Sequence, residues 1–235
     1  MDPALVNLPP LFGLIAASVA FVGTHFALSH PLRAPIVGVV GEKGFAAVYS
    51  LVGLATFGWM VWAFVAMPRR GEPLWDGSGE AIWAIASVIS IVALALFLGS
   101  FRGNPALPDP RAGQGLTDKQ PAHVFRVTRH PMMWGFALWA LAHILVAPTG
   151  RTLVLAGSIG FLALVGAHLQ DRKKQVLIGD GWKAWESRTS YWPRLGALPG
   201  IGIGLWAVTL ALWLAVTWAH IGLAYVPAGI WRWMG

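Results

Sequence analysis

Two histidines, His25 and His143, lie inside apolar runs that are long enough to cross a lipid bilayer. The runs cover residues 11–30 and 131–148, and neither contains an Asp or Glu that could pair with an imidazole. Because an imidazole is costly to place in hydrocarbon, an intramembrane histidine indicates a functional site. A neutral imidazole without an acidic partner is typical of a ligand for a metal ion or a haem iron.

The composition indicates that the helices carrying these histidines belong to a membrane protein. Of 235 residues, 56% are hydrophobic and 11% are charged, whereas a soluble domain usually carries about 25% charged residues. Fourteen Trp residues suit a protein with two membrane–water interfaces. The sequence has no Cys, which excludes disulfides, thiolate ligation of haem, and zinc or iron–sulfur sites built from Cys.

Six apolar runs meet the length of roughly 20 residues that a membrane helix needs. They lie near residues 9–29, 45–67, 81–101, 131–148, 152–170 and 200–225. They predict an all-α, polytopic membrane helical bundle of about six transmembrane helices, forming one integral membrane domain over residues 1–235. A short turn over residues 147–151 makes the fourth and fifth helices an antiparallel hairpin.

The basic residues are distributed unequally between the two sides of the membrane. The connections at 30–44, 102–130 and 171–199 hold 13 of the 17 Lys and Arg residues. The positive-inside rule places these connections in the cytoplasm and both termini outside. Orientation thus accounts for the net charge of +7, and we predict no nucleic-acid partner.

The predicted entry to the fourth helix combines basic residues with a helix-starting proline. Arg126, Arg129 and His130 come directly before Pro131, which fits the first helical turn because its missing N–H is not needed there. This places His130 at the interface, and Gly135 allows close approach of a neighbouring helix or a cofactor. The alternative is a plain basic segment that flanks a membrane helix.

The connection at 171–199 mixes charged and aromatic residues without a helical period. It includes Trp182, Trp185, Tyr191 and Trp192. This pattern predicts an interfacial segment that lies against the bilayer and covers one end of the bundle. The sequence leaves open whether the segment is a lid over a pocket between helices or only an anchor.

The depths of the two intramembrane histidines are open at this point. His25 lies about 12 Å of helix before Arg33, and His143 lies about 20 Å beyond His130 in a straight helix. In a protein without chemistry, both imidazoles would serve as hydrogen-bonding groups between helices. His220, near the outer end of the last helix, is interpreted in the same way, as a hydrogen-bonding partner of a neighbouring helix.

Three segments resemble the NnrU family: THFALSHPLR, GEKGFAAVYSLVGL and TRHPMMWGFALWALAHILV. This family contains bacterial proteins associated with denitrification gene clusters and the 15-cis-zeta-carotene isomerases of plants and cyanobacteria. The resemblance covers residues 10–195 and leaves 200–225 as an additional C-terminal transmembrane helix. It implies an integral membrane protein that binds haem b through axial histidines. For a bacterial member this is the inner membrane, with both termini periplasmic.

By position, the resemblance implies that His25 and His143 are the ligands of the haem iron and the catalytic residues, with His130 also in the site. The haem propionates are expected to reach the basic rim of the bundle, and an indole is expected to flank the macrocycle. The remaining residues predicted to bind the cofactor in this way are Arg33, Arg126, Arg129 and Trp139.

The resemblance also implies a reaction class. In the isomerases, a ligand change at ferrous iron lets the haem act on a cis double bond without net oxidation or reduction. The plant isomerases place a cysteine three residues before the ligand on the fourth helix, whereas this chain has Ala140, so a switch to thiolate is impossible here. The partner is expected to be a lipophilic polyene or NO, within the lipid bilayer.

A second resemblance concerns the segments RHPMMWG and RTSYWPRL. They are similar to isoprenylcysteine and phospholipid methyltransferases, in which an Arg-His-Pro element and a downstream acidic pair hold S-adenosylmethionine. Here the acidic pair is reduced to Gln170 and Asp171. A membrane methyltransferase and a non-catalytic assembly factor are therefore kept as alternatives.

Overall fold

A computed structural model describes residues 8–68, 71–107 and 115–234. The described residues form seven α-helices and three short 3-10 turns, with no strand beyond an isolated bridge between Pro73 and Thr149. The predicted all-α membrane bundle is confirmed. The helices are α1 Leu8–Ser29, α2 Arg33–Ala66, α3 Glu80–Gly99, α4 Pro131–Val146, α5 Gly150–Ile178, α6 Asp180–Arg188 and α7 Ile203–Ala224.

Five of these helices, α1, α2, α3, α5 and α7, are long and apolar enough to span a membrane. Helix α4 is also apolar but has only 16 residues. It begins at Pro131, as predicted, with His130 as the residue that precedes the first turn. We call the end of the bundle where α4 begins and α1 ends the basic end. The Arg69, Arg70 and Arg111 side chains used in the charge count lie outside the described residues, and the orientation stays a prediction.

Helix α5 separates the bundle into two halves. Helices α1 and α2 pack together on one side of α5, and α3 packs with α4 and α7 on the other. Helices α3 and α4 approach closely at Gly135, where an added Cβ would lie 2.9 Å from the carbonyl oxygen of Ala93. The predicted role of Gly135 as a point of close approach is confirmed for a neighbouring helix.

Helix α2 has a break near its start, because Gly41 adopts φ 72° and ψ 174°. This left-handed conformation is open to glycine at little cost. The Arg33 guanidinium pairs with the Glu42 carboxylate across the break at 2.8 Å. The hydrophilic connection expected at 30–44 is therefore largely helical.

The interpretation of residues 171–199 as an aperiodic interfacial segment was wrong for its first half. Helix α5 continues to Ile178 and α6 follows directly. The charged part of α5 has partners for its polar side chains in the connection between α3 and α4: Lys174 donates to the Pro105 carbonyl at 3.1 Å and Gln170 to the Ala106 carbonyl at 3.0 Å.

The tryptophans of this connection also separate into two groups. Trp182 and Trp185 of α6 are fully buried, in a core cluster that includes Leu116 and Phe125. Trp192 is instead 68% exposed. Of these three tryptophans, only Trp192, which follows α6, is exposed and could lie at an interface. The two tryptophans of α6 belong to the buried core.

Candidate functional site

A cleft of about 1540 Å³ lies between the two halves of the bundle. This exceeds the roughly 300–1,000 Å³ of most small-molecule sites. Its walls come from α1, α2, α3, α4, α5 and α7 and are mostly apolar, with aromatic side chains on both sides. The basic or imidazole side chains that line it are His25, His30, His143, Arg151, Lys173 and His220.

His25 projects from α1 and is held by its own helix. Its Nδ1 lies 2.7 Å from the carbonyl oxygen of Phe21. Because a carbonyl oxygen only accepts hydrogen bonds, Nδ1 carries the proton and the neutral ring keeps its lone pair on Nε2. The ring also packs edge-on against Tyr49, with ring centres 5.4 Å apart. The Nε2 edge faces α2, where a Cβ added to Gly53 would lie 3.5 Å from it.

His143 and His220 repeat this arrangement on the opposite wall. His143 Nδ1 lies 2.8 Å from the Trp139 carbonyl oxygen, and His220 Nδ1 lies 2.7 Å from that of Val216. Both rings therefore keep a free lone pair on Nε2. Their ring centres are 6.4 Å apart, and the Trp139 ring lies against His143 at 4.2 Å.

None of the three cleft histidines follows the interpretation as a bridge between helices. Within the described part of the chain, each hydrogen bond of the imidazole rings of His25, His143 and His220 goes to a carbonyl four residues earlier in the same helix. A proton fixed on Nδ1 by a carbonyl is the usual arrangement behind a metal-binding Nε2. The proximity of the His220 ring to His143 was not predicted from the sequence, because it depends on how α7 packs.

Contacts with α5 settle the relative depths of His25 and His143. A Cβ at Gly150 would touch Leu11 of α1 at 4.0 Å, and Gly160 faces Ala140 of α4 in the same way at 3.3 Å. Phe26 of α1 contacts Phe161 of α5, with ring centres 6.1 Å apart. Counting along the helices at about 1.5 Å per residue, His25 lies one to two turns nearer the basic end than His143.

The mouth of the cleft at the basic end carries Lys173 and His30. His30 is oriented by Ser29, whose hydroxyl lies 2.9 Å from its Nδ1. The Lys173 ammonium has no hydrogen bond or ion pair with any residue that the structure describes, and it lies close enough to Arg33 for the two charges to repel each other. This mouth suits an anionic group on a bound molecule.

A second site, which we call the polar cluster, is formed by Arg129, His130, Asp171 and Glu186. His130 is 2% exposed, and its Nε2 donates to Asp171 Oδ1 at 2.8 Å. Arg129 donates to both oxygens of the same carboxylate, with a shortest distance of 2.6 Å, and lies 3.4 Å from Glu186. His130 is thus enclosed by protein with Asp171 of α5 as its partner, and its level at the membrane interface stays a prediction.

Tyr191 covers the polar cluster. Its ring lies 5.7 Å from that of His130 and 5.6 Å from the Arg129 guanidinium. Its hydroxyl donates to the Leu164 carbonyl at 2.8 Å. Burial raises the pKa of the Tyr191 phenol, the Asp171 charge raises it further, and Arg129 acts in the opposite direction.

The space beside the polar cluster is small. A cavity of about 20 Å³ is lined by His130, Gln170 and Asn104 among others, which is the scale of one water molecule. His130 Nδ1 and Gln170 Oε1 are buried there, and neither has a hydrogen-bond partner among the described residues. A nucleotide-sized cofactor does not fit in this cavity.

The residues predicted to bind the cofactor are thus divided between several places. His25, His143 and Trp139 line the cleft, whereas Arg129 and His130 belong to the polar cluster. Arg33 is paired with Glu42. The Arg126 side chain is exposed and donates to the Pro121 carbonyl. None of these last four residues lines the cleft.

Within the described ranges, no three His, Asp or Glu side chains are grouped closely enough to hold a bare metal ion. The cleft histidines therefore offer one or two ligands and not a complete protein-only coordination shell.

Comparisons with known proteins bear on this geometry. The family model described as "NnrU protein" matches residues 13–228, a range that includes α7. The chain is 25% identical over 194 residues to a chloroplastic 15-cis-zeta-carotene isomerase of Zea mays, covering 80% of this chain and 50% of the relative. It is 28% identical over 162 residues to the Arabidopsis thaliana protein of the same name, covering 66% of this chain and 42% of the relative. No solved structure matches the chain significantly.

Proposed function

The chain belongs to the NnrU family, and from this premise we propose that it is a membrane haem b protein that isomerises a cis double bond of a lipophilic polyene. The observation that carries the proposal is the cleft, in which three imidazoles keep a free Nε2 among apolar walls. A carotene-like substrate is in keeping with the names of the two plant relatives. The chain spans no more than half the length of either of them.

The residues of the cleft fit a haem. Imidazole Nε2 atoms are common axial ligands of haem iron, and the resemblance assigns the two positions to His143 and His25. The apolar walls suit the macrocycle, and Trp139 lies beside His143. Lys173 and His30 at the mouth suit the propionates better than the arginines expected from the sequence, since those arginines have other partners.

When bound, ferrous haem would supply an electronic interaction that lowers the rotational barrier of a double bond. The protein supplies the surroundings. Its carbonyls at Phe21 and Trp139 fix the imidazole tautomers, and the aromatic side chains of the cleft exclude water and hold a rod-like apolar molecule. No general acid or base is required, in keeping with cleft walls in which the described lining residues include no Asp or Glu.

Haem binding is tested first by absorbance. Full-length protein expressed with added haem and purified in mild detergent is expected to show a Soret band, and a pyridine haemochrome assay is expected to identify haem b. His143→Ala is expected to lose haem. His168→Ala is the matched control, because His168 is exposed on α5 and does not line the cleft. Protein that stays colourless contradicts the proposal.

The activity is tested by adding 15-cis-zeta-carotene to reduced, haem-loaded protein in liposomes and following the 15-cis bond by chromatography. We expect conversion that stops in His143→Ala. Fully loaded, reduced protein that leaves the carotene unchanged argues against the isomerase. Tight binding of NO by such protein would then favour the role in nitrogen-oxide metabolism that the bacterial side of the family suggests.

The methyltransferase alternative draws on one observation, the meeting of Arg129 and His130 with Asp171. These three side chains are hydrogen-bonded to one another, however, and the adjoining cavity is only about 20 Å³. We therefore expect no binding of S-adenosylmethionine by isothermal titration calorimetry. A saturable binding signal that Asp171→Asn abolishes would restore this alternative.

A further inference from the structure

His143 and His220 form a pair that the family resemblance does not account for. They project from α4 and α7 into the same cleft, with ring centres 6.4 Å apart and ring planes inclined by 38°. Each Nδ1 is occupied by a carbonyl of its own helix, so each free lone pair is on Nε2. Within the described residues neither ring has an acidic partner, although an imidazole is costly to hold in a membrane.

The spacing of this pair suits two ligands on opposite sides of one metal. A metal–nitrogen bond is about 2 Å long, and each ring nitrogen lies about 1 Å from its ring centre, so two opposed imidazoles have centres about 6 Å apart. The measured ring separation of 6.4 Å is close to this distance.

His25 is less well placed for the position opposite His143. It lies one to two helical turns nearer the basic end, by the contacts of α1 and α4 with α5. Its Nε2 edge also faces α2, where a Cβ added to Gly53 would lie 3.5 Å from it. His220 has neither feature, because its ring is the one that lies beside His143.

We propose that His220 is the second histidine ligand of the iron, opposite His143, and that His25 lines the substrate side of the cleft. This inference rests on the proposed haem-binding function and departs from the ligand pair that the resemblance implies. It also gives α7, the last membrane helix, a direct part in the site.

The test compares the spin state of the ferric protein in alanine variants of full-length, haem-loaded protein. His220→Ala is expected to lose most of its low-spin signal in electron paramagnetic resonance and to regain it when imidazole is added. His25→Ala is expected to stay low-spin. His168→Ala on α5 is the matched control and is expected to resemble the unmodified protein.

A methionine variant tests for a shift in midpoint potential that a merely structural role of His220 would not produce. His220→Met is expected to convert bis-histidine into histidine–methionine ligation, which raises the midpoint potential. His25→Met is expected to leave the potential unchanged. Potentials are measured by spectroelectrochemical titration.

The outcomes separate this inference from the proposed function. If the unmodified protein binds no haem, the proposed function fails and this ligand assignment fails with it. If haem is bound and depends on His143, but His25→Ala turns high-spin while His220→Ala stays low-spin, the proposed function stands and the assignment of His220 is overturned.

Discussion

The cleft and the polar cluster both contain histidines in a mainly apolar protein, yet they treat the imidazole in opposite ways. In the cleft, each of His25, His143 and His220 is held by one backbone carbonyl of its own helix and keeps a free Nε2. In the polar cluster, His130 donates its Nε2 to Asp171, which also binds Arg129. The cleft therefore offers nitrogen ligands, whereas the cluster uses its imidazole to join α4 to α5.

This difference shows that burial of a histidine does not by itself identify its role. His130 is the most buried of the compared histidines, at 2% exposure, and its ring is committed to a carboxylate. The cleft rings are less enclosed, but their ligand nitrogens are uncommitted within the described residues. The direction of the free nitrogen and the identity of the Nδ1 partner distinguish the two kinds of site.

The largest effect is expected from Asp171→Asn. It removes the charge that compensates the nearly buried Arg129 guanidinium and weakens the acceptor of the His130 Nε2–H, and breaking such a buried network typically costs about 3–5 kcal/mol. We expect a large loss of thermal stability in detergent, measured by the unfolding temperature. Asp180→Asn is the control, since Asp180 is exposed and pairs only with Lys183 among the described residues. Equal stability of the two variants would remove the distinction between cluster and cleft.

A smaller loss of thermal stability is expected when the imidazole rings of the cleft are removed by substitution in protein without haem. His143→Ala and His220→Ala each lose one hydrogen bond to the same helix, which is worth about 1 kcal/mol. Both variants are expected to unfold within a few degrees of the unmodified apoprotein in the same thermal scan. A loss as large as that of Asp171→Asn would show that these rings have a structural role.

A still smaller change in stability is expected from Gly53→Ala. The new Cβ would meet the His25 ring at 3.5 Å, an ordinary contact distance, so folding is unaffected while the Nε2 edge is covered. Gly58→Ala is the matched control on α2, since nothing lies within 4 Å of its Cβ position. With His220 as the ligand, the haem spectra of both variants match that of the unmodified protein. A change of spin state confined to Gly53→Ala would instead assign ligation to His25.

The smallest effect concerns Tyr191 and alkaline pH. Burial raises the pKa of this phenol above its ordinary value of 10.0, so the unfolded chain loses the proton at a lower pH than the folded protein does. Stability is unaffected by this group below about pH 10 and decreases as the pH rises above that value. The difference in unfolding temperature between the unmodified protein and Tyr191→Phe is expected to narrow between pH 9 and 11. A constant difference would contradict the raised pKa.

The membrane helices could be predicted closely from the sequence. Apolar length set their positions, and Pro131 fixed the start of α4 as predicted. The continuation of α5 to Ile178 could not be predicted, since a charged stretch reads as a connection until its partners are known. Those partners are the carbonyls of Pro105 and Ala106, which come from a distant part of the chain.

The histidines of the site were only partly predictable. His25 and His143 stood out because their runs are long and apolar, and both line the cleft. Their relative depth could not be predicted, because it depends on how α1 and α4 pack against α5. The approach of the His220 ring to His143 could not be predicted either, because it depends on the packing of α7 against α3. The ion pairs of Arg33 with Glu42 and of Arg129 with Asp171 were not predicted, because each depends on how the chain folds between the two partners.

The break at Gly41 matches a long helix to the thickness of a membrane. An unbroken helix of 34 residues would be about 51 Å long, well beyond the roughly 30 Å of a hydrocarbon core. The straight part that runs from residue 42 to the end of α2 is about 37 Å long. A tilted helix of this length can be accommodated in a bilayer. One glycine backbone thus divides α2 into a long part of membrane-spanning length and a short preceding part, which the Arg33–Glu42 pair joins across the break.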